Sequence, residues 1–95
     1  MSMNLREEDL QKMYAAKFIL ENEYKYHYTI DQLAQKVGTN PFKLKIGFKY
    51  VFKVSPFEFL TNIRIEKAKQ LLANTDLPVK RVAVEVGYPQ ATNFI

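Results

Sequence analysis

Ninety-five residues make one domain's worth of chain, and a domain of that size buries only roughly 60–65% of the surface its unfolded chain exposes, which argues against a large ligand cavity. There is no cysteine, so a disulfide frame and a thiolate metal site are both excluded, and 14 Lys+Arg against 10 Asp+Glu leave a net charge of +4, a modest pointer to an anionic partner. The opening residues Met1 to Asp9 are polar and acidic, unlike a secretory leader, and no apolar stretch approaches the ~20 residues that cross a bilayer, so the expectation is a cytoplasmic protein without a membrane partner.

Apolar residues recur at helical spacing, and the scarce breakers (three glycines and four prolines) fall between the periodic runs. That pattern predicts an all-α chain. The first helix is expected from about Glu8 to Tyr24, with Leu10, Met13, Leu20 and Tyr24 on its buried side and Ala16 between them. The aromatic connector Tyr24-Lys25-Tyr26-His27-Tyr28 follows, and His27, the single histidine, is read as an ordinary loop contact. Thr29-Ile30-Asp31-Gln32 is a capping box that opens the second helix, and Gly38 suits its left-handed end. Asn40 caps a third helix with Pro41 at its first position, running to about Phe52. Ser55-Pro56-Phe57-Glu58 reads as another capping box, opening a fourth helix to about Asn74 on which Phe57, Leu60, Ile63, Ala68, Leu71 and Leu72 are the expected packing residues. A fifth helix runs from near Pro78 to Gly87, and a sixth is expected near Pro89.

The second and fifth helices repeat one pattern. Ile30-x-x-Leu33-Ala34-x-x-Val37-Gly38 is matched by Val79-x-x-Val82-Ala83-x-x-Val86-Gly87, and the same offset separates every pair. A helix-turn-helix accounts for both small residues: alanine fits where two helix backbones cross closely, and glycine supplies the positive φ of the turn. Leu44 after the first glycine and Phe94 after the second are the apolar anchors of the following helices. A plain antiparallel helical hairpin is the alternative for either unit alone.

Between Gln32 and Phe57 there is no acidic residue, but there are five lysines: Lys36, Lys43, Lys45, Lys49 and Lys53. At 100° per residue, Leu44, Gly47, Phe48 and Val51 share the inner side of the third helix. Phe42, Ile46, Lys49 and Lys53 share the outer side, with Lys43, Lys45 and Tyr50 flanking it. Such a helix fits the major groove. Its N-terminal half would read bases, Phe42 and Ile46 through thymine methyls and Lys45 through guanine O6 or N7, while Lys49 and Lys53 would hold phosphates. The alternatives are that Phe42 and Ile46 pack against another helix or domain and that the lysines serve solubility. The fourth helix, about 28 Å long at 1.5 Å per residue, would hold two recognition helices near the ~34 Å spacing of successive groove faces. Arg64, Lys67 and Lys69 near its middle either approach the DNA backbone or pair with Glu66 and its neighbours.

These residues resemble the AraC/XylS family of transcription regulators over about Leu5 to Ile95. The matching pieces are Leu33-Ala34-x-x-Val37-Gly38, Lys43-Leu44-Lys45-x-Gly47-Phe48-Lys49, Ser55-Pro56-x-x-Phe59-Leu60, Arg64-Ile65-x-x-Ala68-x-x-Leu71-Leu72 and Val82-Ala83-x-x-Val86-Gly87-Tyr88-x-x-x-Thr92-Asn93-Phe94. The resemblance implies a seven-helix, homeodomain-like arrangement of two helix-turn-helix units on a long linking helix. Residues 1–95 would then be one domain, with the first unit at about 29–53, the linker at about 55–75 and the second unit at about 78–95, incomplete at its end. The implied partners are double-stranded DNA, RNA polymerase and an effector or dimerisation domain; no cofactor and no metal are implied. The resemblance implies base contacts by Phe42, Lys45 and Ile46 in the first unit and by Ala91, Thr92, Asn93 and Ile95 in the second; Asn40, Lys43, Lys49, Lys53 and Gln90 complete the set of candidate DNA-contacting residues. Two departures stand out: Lys53 occupies a position where the family usually has glycine, and Pro89 one where it has a small polar cap. The function expected is sequence-specific DNA binding, with a basic protein-interaction module as the alternative. No phosphate loop, nucleophile motif or metal-ligand cluster favours an enzyme.

Overall fold

A computed structural model describes residues 5–89, and among them five α-helices and no strand. These are α1 (Glu7–Asn22), α2 (Ile30–Val37), α3 (Pro41–Phe52), α4 (Pro56–Asn74) and α5 (Val79–Glu85). The helix expected near Pro89, the anchor Phe94 and the candidate residues Gln90, Ala91, Thr92, Asn93 and Ile95 lie outside the described residues.

The helices begin where the sequence offers partners for free N–H groups. The Thr29 hydroxyl accepts from Gln32 N–H at 3.1 Å while the Gln32 side chain accepts from Thr29 N–H at 2.9 Å, closing the box on α2. Asn40 Oδ1 accepts from Lys43 N–H at 2.8 Å on α3. On α4 the Ser55 hydroxyl accepts from Glu58 N–H at 3.2 Å, so this cap has one arm where the sequence suggested two. The start of α1 has no side-chain cap but carries Glu7, Glu8 and Asp9 in its first turn, where negative charge suits the helix dipole.

Both repeat units close with the same turn. Gly38 N–H reaches Gln35 O and Thr39 N–H reaches Ala34 O; Gly87 N–H reaches Val84 O and Tyr88 N–H reaches Ala83 O. This is the Schellman pattern, and the two glycines sit at φ +84° and +105° as it requires. The alanines of the repeat are buried in both units, as the need for close backbone approach predicts. Lys53, which closes α3, holds φ +70° without being glycine. The left-handed turn is therefore kept with lysine in it, at a cost of about 1–2 kcal/mol. Its Nζ donates back to Tyr50 O at 3.1 Å and lies 5.5 Å from the Tyr50 ring.

Among the described residues the buried apolar side chains form two clusters. The first joins Met13, Ala16 and Leu20 of α1, Leu33 and Ala34 of α2, Leu44 and Phe48 of α3 and Leu60 of α4. Phe48 packs at 4.6 Å from Phe52 and 5.6 Å from Phe59. Met13 lies so close to Gly47 that a Cβ there would meet its sulfur at 3.0 Å. The second core consists of Ala68, Val82 and Val86, flanked by Leu71 and Tyr88. Three expected packing residues face solvent instead: Leu10, Phe57 and Leu72. On α1 the buried positions are Asp9, Met13, Ala16 and Leu20, and Leu10 lies about 100° around the helix from that stripe. The helix also ends at Asn22, two residues earlier than expected, and Tyr24 packs on the core from the connector.

Candidate nucleic-acid interface

The helix α3 divides as its periodicity predicts. Leu44, Gly47 and Phe48 are buried and Val51 is half-buried, while Phe42, Lys45, Ile46, Lys49, Tyr50 and Lys53 are exposed. The inner side seats the helix on α1 and α2, so the lysine-bearing side is turned to solvent. Neither Lys45 nor Lys49 has a carboxylate partner among the described residues, and both charges are available to an anion. Asn40 is exposed, but its side chain is engaged as the cap of α3.

Lys43 is placed differently from its neighbours. It is half-buried, and its Nζ lies 3.4 Å from the carboxylate of Asp9, whose side chain is only 10% exposed. The sequence placed Lys43 on the flank of the outer stripe, and it does stand there; what the sequence did not show is the acid on α1 that faces it. On α2, Lys36 lies 5.5 Å from the Tyr28 ring, and the Tyr28 hydroxyl donates to Glu23 at 2.7 Å. The hydrogen bond to the Glu23 carboxylate, with burial second, pushes the Tyr28 phenol above its ordinary range, and the contact with Tyr28 raises Lys36 likewise.

Sequence pattern alone misses the role of Arg64. Although charged, it is only 6% exposed. It neither faces outward toward a phosphate nor pairs with Glu66, which instead holds Lys69 at 3.5 Å. Its Nε donates to Tyr24 O at 2.7 Å and its terminal nitrogen to Tyr26 O at 3.1 Å, and the guanidinium lies 5.3 Å from the Tyr88 ring. Beside it, His27 Nε2 is 2.7 Å from Gly87 O and Lys25 pairs with Glu85 at 3.4 Å. The connector between α1 and α2 is thereby fastened to α4 and to the turn of the second unit. The aromatic run holding a lone histidine was the available signal, but nothing in it pointed to Gly87.

Two helices with the same small residues and the same glycine turn, the first of them followed by the basic helix α3, define a helix-turn-helix protein. Residues 33–95 match the family described as helix-turn-helix domain, and the chain belongs to this AraC-type family of transcription regulators. It is 36% identical over 87 residues to the lactose operon transcription activator of Staphylococcus xylosus, a match that covers 92% of this chain and 30% of that protein. It is 34% identical over 77 residues to the HTH-type transcriptional regulator YtdP of Bacillus subtilis, covering 81% of this chain and 10% of that one. The chain thus spans under a third of the length of these relatives. Among solved structures, the C-terminal domain of the two-component response regulator yesN from Fusobacterium nucleatum superposes with a TM-score of 0.81 at 29% identity, covering 88% of each chain. A DNA-binding transcriptional dual regulator from Escherichia coli K-12 does so with a TM-score of 0.71 at 26% identity, over 99% of this chain and 81% of that one. The fold is that of a helix-turn-helix DNA-binding domain of transcription regulators. No helix among the described residues is long and apolar enough to cross a membrane.

Proposed function

We propose that the chain is the sequence-specific DNA-binding domain of a bacterial transcription regulator, and that α3 enters the major groove with its outer side toward the bases. The observation that carries this reading is the outer side of α3, where Phe42, Lys45, Ile46, Lys49 and Lys53 are exposed and Lys45 and Lys49 have no carboxylate partner among the described residues, on a helix seated by Leu44 and Phe48. In this arrangement Phe42, Lys45 and Ile46 approach base edges, and Lys49 and Lys53 approach phosphates. Asn40 and Lys43 stand at the end of α3 that reaches the duplex first. The five residues Gln90, Ala91, Thr92, Asn93 and Ile95 would form the second reading surface, on the strength of the family pattern. Double-stranded DNA is the partner proposed for this domain. RNA polymerase and an effector or dimerisation domain are the partners proposed for the whole regulator, in the cytoplasm. Gel-shift titration against random duplex over a salt series tests the reading. The expected result is an affinity that falls steeply with salt, log K dropping by about 0.9 per phosphate engaged for each tenfold rise in salt. No complex at any salt concentration would refute it.

A further inference from the structure

We infer that Asp9 is a specificity-determining residue of the DNA surface: it keeps the Lys43 ammonium off the phosphates and so suppresses binding to duplex of arbitrary sequence. The inference rests on the proposed reading of α3 as the groove helix and adds to it an acid on α1, outside the helix that enters the groove.

Lys43 stands in the first turn of α3, the end that approaches the bases. That turn carries no acidic residue, and a helix start is itself the positive end of the dipole. A free ammonium there would draw a phosphate from any duplex, adding affinity without discrimination. Of the lysines from Lys43 to Lys53, Lys43 is the one paired with a carboxylate among the described residues. The acid that holds it is fixed in place. Asp9 lies in the first turn of α1, where the dipole favours its charge. Its side chain is 10% exposed, against 44% for Lys43, and the two groups are 3.4 Å apart. No other ion pair to Asp9 occurs among the described residues. Moving the Lys43 ammonium to a phosphate would therefore leave a nearly buried carboxylate without its counter-charge, beside a backbone of like charge. A solvated contact with a phosphate offsets less than that, so the ammonium stays with Asp9. Lys49 and Lys53 face no such acid, and the phosphate contacts fall to them, toward the other end of the helix.

A double-mutant cycle in the salt slope on random duplex tests this, using Asp9→Asn, Lys43→Gln and the two together, each checked for helical content by circular dichroism. Asp9→Asn is expected to steepen the slope by about 0.9, the mark of one more phosphate neutralised. Between about 200 and 50 mM salt its affinity then rises about 3.5-fold more than that of the parent chain. Lys43→Gln should change the slope only where Asp9 has been replaced, returning it to the parent value. A purely structural role for the pair would alter stability and leave all the slopes equal, and that result overturns the inference. So does an equal effect of Lys43→Gln with and without Asp9, since net charge would then account for it. Should Asp9→Asn not fold, Lys43→Gln in the parent chain decides: an unchanged slope supports the inference, and one flattened by about 0.9 overturns it. Failure of the parent chain to bind duplex at any salt concentration would instead strike the groove reading itself.

Discussion

Replacing Arg64 by methionine tests whether the connector clamp holds the two units together. The side chain is 6% exposed and supplies two hydrogen bonds, to Tyr24 O and Tyr26 O. A hydrogen bond from a charged group is worth about 1.5–3 kcal/mol. Against that stands the desolvation of the guanidinium, which methionine does not incur, and the partial exposure of the connector, which lets water reach the abandoned carbonyls. Methionine keeps most of the aliphatic packing but not the cation that sits beside the Tyr88 ring. The net loss is then about 3 kcal/mol, or a fall in Tm of about 12–24 °C for a domain of this size. Arg64→Lys keeps the charge and one donor direction and should fall between the two. Urea titration followed by circular dichroism, with a thermal scan beside it, reads the effect. A variant within about 0.5 kcal/mol of the parent chain would refute the argument, because it would place Arg64 among ordinary surface residues.

The two repeat glycines should differ in what they tolerate. Gly38→Ala bears only the left-handed strain, about 1–2 kcal/mol, since its Cβ would meet nothing closer than Lys12 Cε at 3.9 Å; Gly87→Ala adds a clash with Arg64 Nε at 3.1 Å and Lys25 Cα at 3.2 Å and should cost about 1–3 kcal/mol more by urea midpoint. Lys53→Gly should raise stability by about 0.5–1 kcal/mol, the relief at φ +70° less the added freedom of the unfolded chain, and a lower urea midpoint would count against strain there. Lys49→Gln and Lys53→Gln should each flatten the salt slope of DNA binding by about 0.9 for every phosphate that the ammonium no longer neutralises. Lys43→Gln should leave that slope unchanged and lower stability instead, because its ammonium is held by Asp9; equal slopes for all three variants would refute this division.

The helices were legible in the sequence wherever their ends are written in side chains. Thr29 with Gln32, Asn40 with Pro41, Ser55 with Pro56 and the two repeat glycines each satisfy backbone groups locally, so a linear reading finds them. The outer side of α3 was legible for a similar reason, since lysines and core residues alternate with helical period. What was not legible depends on distant partners. Asp9 and Arg64 are charged, and charge normally signals exposure; their burial makes sense only once Lys43 and the carbonyls of Tyr24 and Tyr26 are brought to them by the fold. The helix α1 misled in the opposite sense. It carries Leu10, Tyr14 and Phe18 on its outer side as well as Met13, Ala16 and Leu20 within, so apolar character alone did not say which stripe was the core.

The positions along the chain of the residues that build the first core bear on how the chain acquires its structure. Seven of the eight residues of the first cluster come from α1, α2 and α3, so most of it closes over short loops, the kind of contact that forms early and sets a fast folding rate. The second cluster, among the described residues, joins Ala68 of α4 to Val82 of α5 and to Val86, and the unit is tied to the connector through Arg64, His27 and Lys25. The first unit is thus the expected nucleus of the folding transition state, and the second docks after the barrier. Changes at Arg64 or Gly87 should therefore accelerate unfolding and leave the refolding rate nearly constant, whereas changes at Leu33 or Phe48 should slow refolding.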